Sequence, residues 1–213
     1  AAGRGRRADA GGDGRRAGVT FYDVAKVVVS GIFHTIFRVR VIGAEKVPKD
    51  GPLIVAANHI SNLDPPLLGV ALPRPVSYMA KKELFAIPIL KAIIPRLNAF
   101  PVDREAGGTA AIRASLRLLK EGRAVGIFPE GGRNLTGANE EKAGAAFLAA
   151  ASGAPVVPAA IVGTRKLRPF GRATVIFGDP IHVVRNRQSD GGDLEKGAAK
   201  IMQRIRALEE SNR

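Results

Sequence analysis

Short apolar runs recur along this chain and alternate with longer stretches of helical period. The runs Val39 to Ile42, Leu53 to Ala57, Val76 to Met79, Ala124 to Phe128, Val156 to Val162 and Ala173 to Phe177 have the length and β-branched content of buried strands. Asn98 to Arg104 reads as a strand or extended turn ending in a charged pair. Between them lie segments with helical spacing: Phe21 to Phe37, Leu84 to Ile94 with a bend at Pro88, Gly107 to Gly122, the Ala-rich Glu140 to Ser152, and Leu194 to Leu208. In the fourth-residue series Lys26, Ser30, His34, Arg38, each step drifts by only about 40°, so these residues form one polar arc. The rest of that first helix, including Val24, Val28, Val29, Ile32, Phe33, Ile36 and Phe37, is a broad apolar surface suited to a core or to a membrane interface. Strands alternating with helices predict an α/β fold: a mostly parallel central sheet flanked by helices, preceded by an N-terminal amphipathic membrane-surface helix.

The domain plan follows from where apolar residues are missing. Residues 1–20 are Ala, Gly, Arg and Asp, with almost nothing to bury, and predict a disordered tail. Gly3 to Ala8 matches a dinucleotide fingerprint in form, but no strand precedes it. Residues 21–213 form one expected domain, within which 21–38 is the candidate membrane-interface helix. At 213 residues, burial of roughly 70% of the unfolded surface needs no disulfide or metal staple.

Composition narrows the chemistry. The chain has no cysteine, which removes disulfides, thiolate metal sites and a cysteine nucleophile together. Its net charge of +14 points to anionic partners: nucleic acid, lipid headgroups or a phosphorylated substrate. Aromatics at 5% with no Trp supply few platforms for stacking bases, so no specific nucleic-acid partner is expected. No apolar run reaches the ~18 residues of a spanning helix, and no secretory signal is recognisable. The three histidines, His34, His59 and His182, lack metal-ligand spacing, so no metal site is expected.

His59 alone has a carboxylate nearby at a strand exit. It stands in Asn58-His59-Ile60-Ser61-Asn62-Leu63-Asp64-Pro65-Pro66. On a helix, residues five apart point about 140° away from each other, so His59 and Asp64 meet only if the backbone bends between them. Asp64 as an N-cap before Pro65 supplies a reason for the bend, with Ser61 as an alternative cap one turn earlier. The competing reading is a plain strand-to-helix turn with an exposed histidine. In a parallel sheet, the loops at 58–64, 103–104 and 129–133 follow strands and would converge at their carboxyl ends. They would bring together a base (His59), its orienting carboxylate (Asp64) and two arginines (Arg104, Arg133) able to grip a phosphate. Glu130 could simply pair with an arginine, and Gly131 and Gly132 let the backbone turn.

Asn58-His59 with Asp64 resembles the NHxxxxD signature of the glycerolipid acyltransferases, the family of 1-acyl-sn-glycerol-3-phosphate acyltransferase. Further blocks follow in the family's order: Lys81-Lys82-Glu83-Leu84, Phe100 to Arg104, Phe128-Pro129-Glu130-Gly131-Gly132-Arg133, Lys142-Ala143-Gly144 and Val157 to Ile161. The resemblance spans about residues 39–165. Gly132 and Asn134 depart from the usual Thr and Ser, and Asn98 stands where Gly is usual, at a position where asparagine tolerates left-handed backbone. The resemblance implies an O-acyltransferase in which His59 and Asp64 are catalytic, while Arg104, Glu130, Gly131, Arg133 and Lys82 bind the phosphate of the acceptor. It implies lysophosphatidic acid as acceptor, acyl-CoA or acyl-carrier protein as co-substrate with no cofactor, and residence on the cytoplasmic face of a membrane. Glycerol 3-phosphate or another lyso-lipid are alternative acceptors. A hydrolase using the same base on water, and a non-catalytic binder of anionic lipid or nucleic acid, are the alternatives from other classes.

Overall fold

A computed structural model describes residues 21–102, 108–132, 143–183 and 192–212, with the side chains of Ile89 and Leu90 excepted. The tail at 1–20, Arg104 and Arg133 therefore lie outside the described residues. Seven strands form one sheet in the order β1-β7-β6-β2-β5-β3-β4. They are β1 (Arg38–Ile42), β2 (Leu53–Ala57), β3 (Val76–Lys81), β4 (Ala99–Val102), β5 (Ala124–Ile127), β6 (Val156–Val162) and β7 (Arg172–Phe177). From β6 through β4 every pairing is parallel; β7 turns back antiparallel to β6 and pairs in parallel with β1. The central strand β2 is buried on both faces along its whole length, as a near-continuous apolar run requires in a sheet covered on both sides.

Helices α1 (Phe21–Ile36) and α2 (Asp64–Ala71) cover one face; α4 (Thr109–Lys120), α5 (Gly144–Ser152) and α6 (Gly192–Glu210) cover the other. The apolar stripe of α4 buries Ala111, Leu118 and Leu119, with Ser115 also turned inward. The segment expected as one bent helix is instead divided. A 3-10 turn at Lys82–Ala86 ends at Ile87, whose backbone is extended, and α3 (Pro88–Ile93) begins afresh. Proline accepts the first turn of a helix and forces the preceding residue out of it, so Pro88 starts an element here. Asn98 adopts the left-handed conformation (φ 60°) at the turn into β4.

The first helix divides its apolar surface between the core and solvent. Val29, Phe33 and Phe37 pack on the core, yet Lys26, a member of the polar arc, turns inward and donates to the carbonyl of Leu72 at the end of α2. Burial lowers the Lys26 pKa, opposed by the nearby charge of Asp23. What faces solvent is Phe21, Val24, Val27, Val28, Ile32 and Ile36. Beneath the helix layer, Tyr78 lies flat across Gly126 of the neighbouring strand. Burial, then Tyr22, holds its phenol well above the usual tyrosine range. A Cβ on Gly126 would come within 2.4 Å of the Tyr78 ring, whose hydroxyl already abuts Gly69. Gly126→Ala therefore overpacks a core with no room to yield and should cost about 1–3 kcal/mol. Urea denaturation measures this, and an unchanged midpoint would contradict the packing described.

Candidate active site

The site begins where β2 runs out. Asn58 continues the strand with its side chain, donating through Nδ2 to the carbonyl of Ile161 (3.0 Å) and accepting the Ile161 amide at Oδ1 (2.7 Å). This two-point clamp ties the last turn of β2 to β6 and frees the backbone to bend at His59. The bend is stabilised by Asp64, which is fully buried at the first turn of α2. Its Oδ2 accepts the amides of Ile60 and Ser61, each at 2.7 Å, and faces His59 Nδ1 at 3.0 Å. Its Oδ1 accepts the hydroxyl of Thr164 at 2.6 Å.

Asp64 thus caps in the direction opposite to that expected. An N-cap aspartate receives amides from the helix that follows; this one receives them from the loop that precedes, and Leu63 occupies the cap position. Ser61 does accept the Leu63 amide, at 3.2 Å, but the helix starts at Asp64. The consequence is the geometry the pair needs: the five-residue segment folds back on one carboxylate, so imidazole and carboxylate touch.

In a neutral ring, a carboxylate facing Nδ1 favours the tautomer with the proton on that nitrogen and the lone pair on Nε2. The ring is held on its other side by Phe128, stacked with centroids 4.3 Å apart and planes at 28°. Side-chain exposure is 12% for His59 and zero for Asp64. The ring therefore reaches solvent while its partner does not, as a base and its orienter require.

The loop after β5 lies beside this pair because β5 pairs with β2 in parallel. The turn Phe128 to Gly131 closes through the Gly131 amide to the Phe128 carbonyl (2.9 Å), with Gly131 at φ 65°, a left-handed angle that glycine adopts without strain. Glu130 is buried and accepts the His59 amide at 3.3 Å. Its carboxylate braces the histidine loop. Lys82 is exposed just beyond β3, two strands from β2 at the same end of the sheet. Where Arg104 and Arg133 stand relative to the pair falls outside the described residues. A hollow of ≈ 230 Å³ lined by Asn98, Arg117 and Arg123 lies at the opposite end, where β3 and β4 begin, and is not part of this site. Among the described residues no group of three His, Cys, Asp or Glu could hold a metal ion. His34 and His182 are both exposed, away from the strand exits.

Sequence reasoning missed Thr164, Phe128 and the clamp made by Asn58. Thr164 is 100 residues from Asp64 along the chain; its one local signal is a hydroxyl residue two positions after an apolar run. Thr164→Val removes a donor from a buried carboxylate and should cost about 1–3 kcal/mol of stability, whereas Thr164→Ser should retain most of it. Denaturation of the two variants side by side measures this; equal losses would show that the hydroxyl contributes nothing.

The same arrangement has known relatives. A family model described as Acyltransferase matches residues 38–162, the span from β1 to the end of β6. The 1-acyl-sn-glycerol-3-phosphate acyltransferase of Bacillus subtilis is 39% identical over 184 residues, covering 80% of this chain and 88% of that relative. The enzyme of the same name from Streptococcus pneumoniae is 30% identical over 175 residues, covering 79% and 65%. Among solved structures, the 1-acyl-sn-glycerophosphate (LPA) acyltransferase PlsC from Thermotoga maritima superposes with a TM-score of 0.68 at 26% identity, over 90% of this chain and 82% of that one. Both the matched span and these similarities cover the paired His59 and Asp64 with the strands that deliver them, and this chain belongs to the acyltransferase family.

Proposed function

We propose that this chain transfers a fatty acyl group from a thioester donor to the free hydroxyl of lysophosphatidic acid, giving phosphatidic acid, with His59 as general base. The observation that carries this is the contact between His59 Nδ1 and the buried Asp64, which leaves Nε2 as the basic atom of a ring open to solvent. The names of the Bacillus and Streptococcus relatives support the acceptor.

In this mechanism Nε2 takes the proton of the acceptor hydroxyl as its oxygen attacks the thioester carbonyl. Asp64 stabilises the imidazolium that forms, as in a serine hydrolase but without a protein nucleophile. The tetrahedral intermediate collapses with loss of the thiolate, which recovers the proton from His59, leaving an ester and a free thiol. Backbone amides hold the oxyanion. The acceptor phosphate is met by Arg104, Arg133 and Lys82, with Gly131 allowing close backbone approach. Glu130 serves the same subsite by holding the loop against His59, since a carboxylate does not itself attract a phosphate. Acyl-CoA and acyl-carrier protein both present the required thioester.

The lipid substrates place the enzyme at a membrane. No helix among the described residues is long and apolar enough to cross one. The exposed apolar side chains of α1 instead support peripheral attachment to an anionic cytoplasmic leaflet, reinforced by the net charge of +14.

His59→Ala should lower acyl transfer by at least about 10²–10⁴-fold while leaving the thermal transition in place. Labelled acyl donor tested against lysophosphatidic acid, glycerol 3-phosphate, other lyso-lipids and water measures both points. Full activity of the variant would remove His59 from the mechanism, and transfer confined to another acceptor or to water would replace the substrate assignment.

A further inference from the structure

The segment leaving the catalytic pair at Thr164 runs through Arg165, Lys166, Leu167, Arg168, Pro169, Phe170 and Gly171 before β7 begins. Because β7 returns antiparallel to β6, this loop lies at the end of the sheet where β2 delivers His59. It is fixed at several points. Thr164 is held by Asp64, and Leu167 packs on the core. The Phe170 amide donates to the carbonyl of Ile36 at the last residue of α1 (2.6 Å), and the Arg38 amide donates to the Gly171 carbonyl (2.8 Å).

Within this clamped frame Phe170 has a left-handed backbone, φ 63°, unusual for a residue of its bulk. It is also the most exposed large apolar side chain of the described residues, at 72%. Both features cost folding stability, and observed strain of this kind points to function. The surroundings indicate what meets the ring. Arg165, Lys166, Arg168 and Arg172 flank it in sequence and are exposed, and the stretch from Thr164 to Gly178 contains no acidic residue. The hydrogen bond to Ile36 joins the loop to the end of α1 that carries the exposed Ile32 and Ile36. Cations beside an apolar surface that continues from a helix into an aromatic tip match the charge and layering of an anionic bilayer surface.

We infer that the β6–β7 loop is a second membrane contact, with Phe170 entering the headgroup–acyl boundary while its flanking cations meet lipid phosphates. The loop thereby fixes the mouth of the site, one hydrogen bond away at Asp64, against the leaflet. This rests on the peripheral-membrane reading of α1 and adds to it a separate element with a separate test.

The chain contains no Trp, so Phe170→Trp makes a single fluorescent reporter in the full-length protein. Vesicles of phosphatidylcholine with phosphatidylglycerol should shift its emission to the blue, with quenching by lipids brominated near the headgroup, and added salt should weaken the effect. Phe170→Gly should melt at or above the parent temperature, because the left-handed angle suits glycine, yet bind the same vesicles about tenfold more weakly. Ile32→Asp in α1 serves as the independent control on sedimentation. An unshifted Trp on vesicles that still sediment the protein through α1 would overturn the loop contact and leave the attachment of α1 standing. Failure of the parent protein to sediment on anionic vesicles would overturn both. A shift seen only with an acidic carrier protein, and none with vesicles, would assign the loop to a protein partner and overturn the lipid contact.

Discussion

The buried carboxylate of Asp64 is the constraint on which the site depends. A carboxylate with no solvent exposure is tolerable only if its oxygens are saturated with donors. Here the Ile60 and Ser61 amides, the His59 ring and the Thr164 hydroxyl supply them. Each donor comes from a different structural need. The two amides come from a loop that would otherwise run straight from β2 into α2. The hydroxyl comes from the end of β6, and the imidazole is the group to be oriented. Satisfying one buried carboxylate therefore bends the loop, joins it to the neighbouring strand and orients the His59 ring together.

The surrounding sheet makes that convergence possible. Parallel pairing of β2 with β5 and β6 puts the residues after all three strands at one end. From β5 come Phe128 against the ring and Glu130 on the His59 amide. From β6 comes Thr164, and the Asn58 clamp holds β2 and β6 together where the ladder ends. On the adjacent face, Lys26 of α1 reaches the carbonyl at the end of α2, the helix that begins with Asp64. The helix with the exposed apolar side chains is thus tied to the element that carries Asp64.

Much of this was legible in the sequence, and the exceptions share a cause. The limits of β2 and β6 coincide with the apolar runs that announced them, and β5 and β7 each differ from theirs by one residue. Local apolar runs report local backbone. The meeting of His59 and Asp64 was legible because it depends on a bend within one short segment, although the bend arises from amides of the preceding loop and not from helix capping. Thr164 was not legible, since its partner is fixed by tertiary contact across 100 residues. The inward turn of Lys26 was not legible for a similar reason: its acceptor is the carbonyl at the end of another helix, 46 residues away. Pro88 begins a helix where a bend was expected, because proline disfavours the residue before it more than it disfavours its own place in a first turn.

The most direct test of the central claim is the protonation pattern of the His59 ring, read by ¹⁵N nuclear magnetic resonance at a pH where the ring is neutral and assigned by the signal lost in His59→Gln. A buried Asp64 that orients the base predicts a proton on Nδ1 and a bare Nε2, with the pattern collapsing to a mixture in Asp64→Asn. A proton on Nε2 in the parent protein would contradict the account, because the nitrogen facing the substrate would then be unable to accept one.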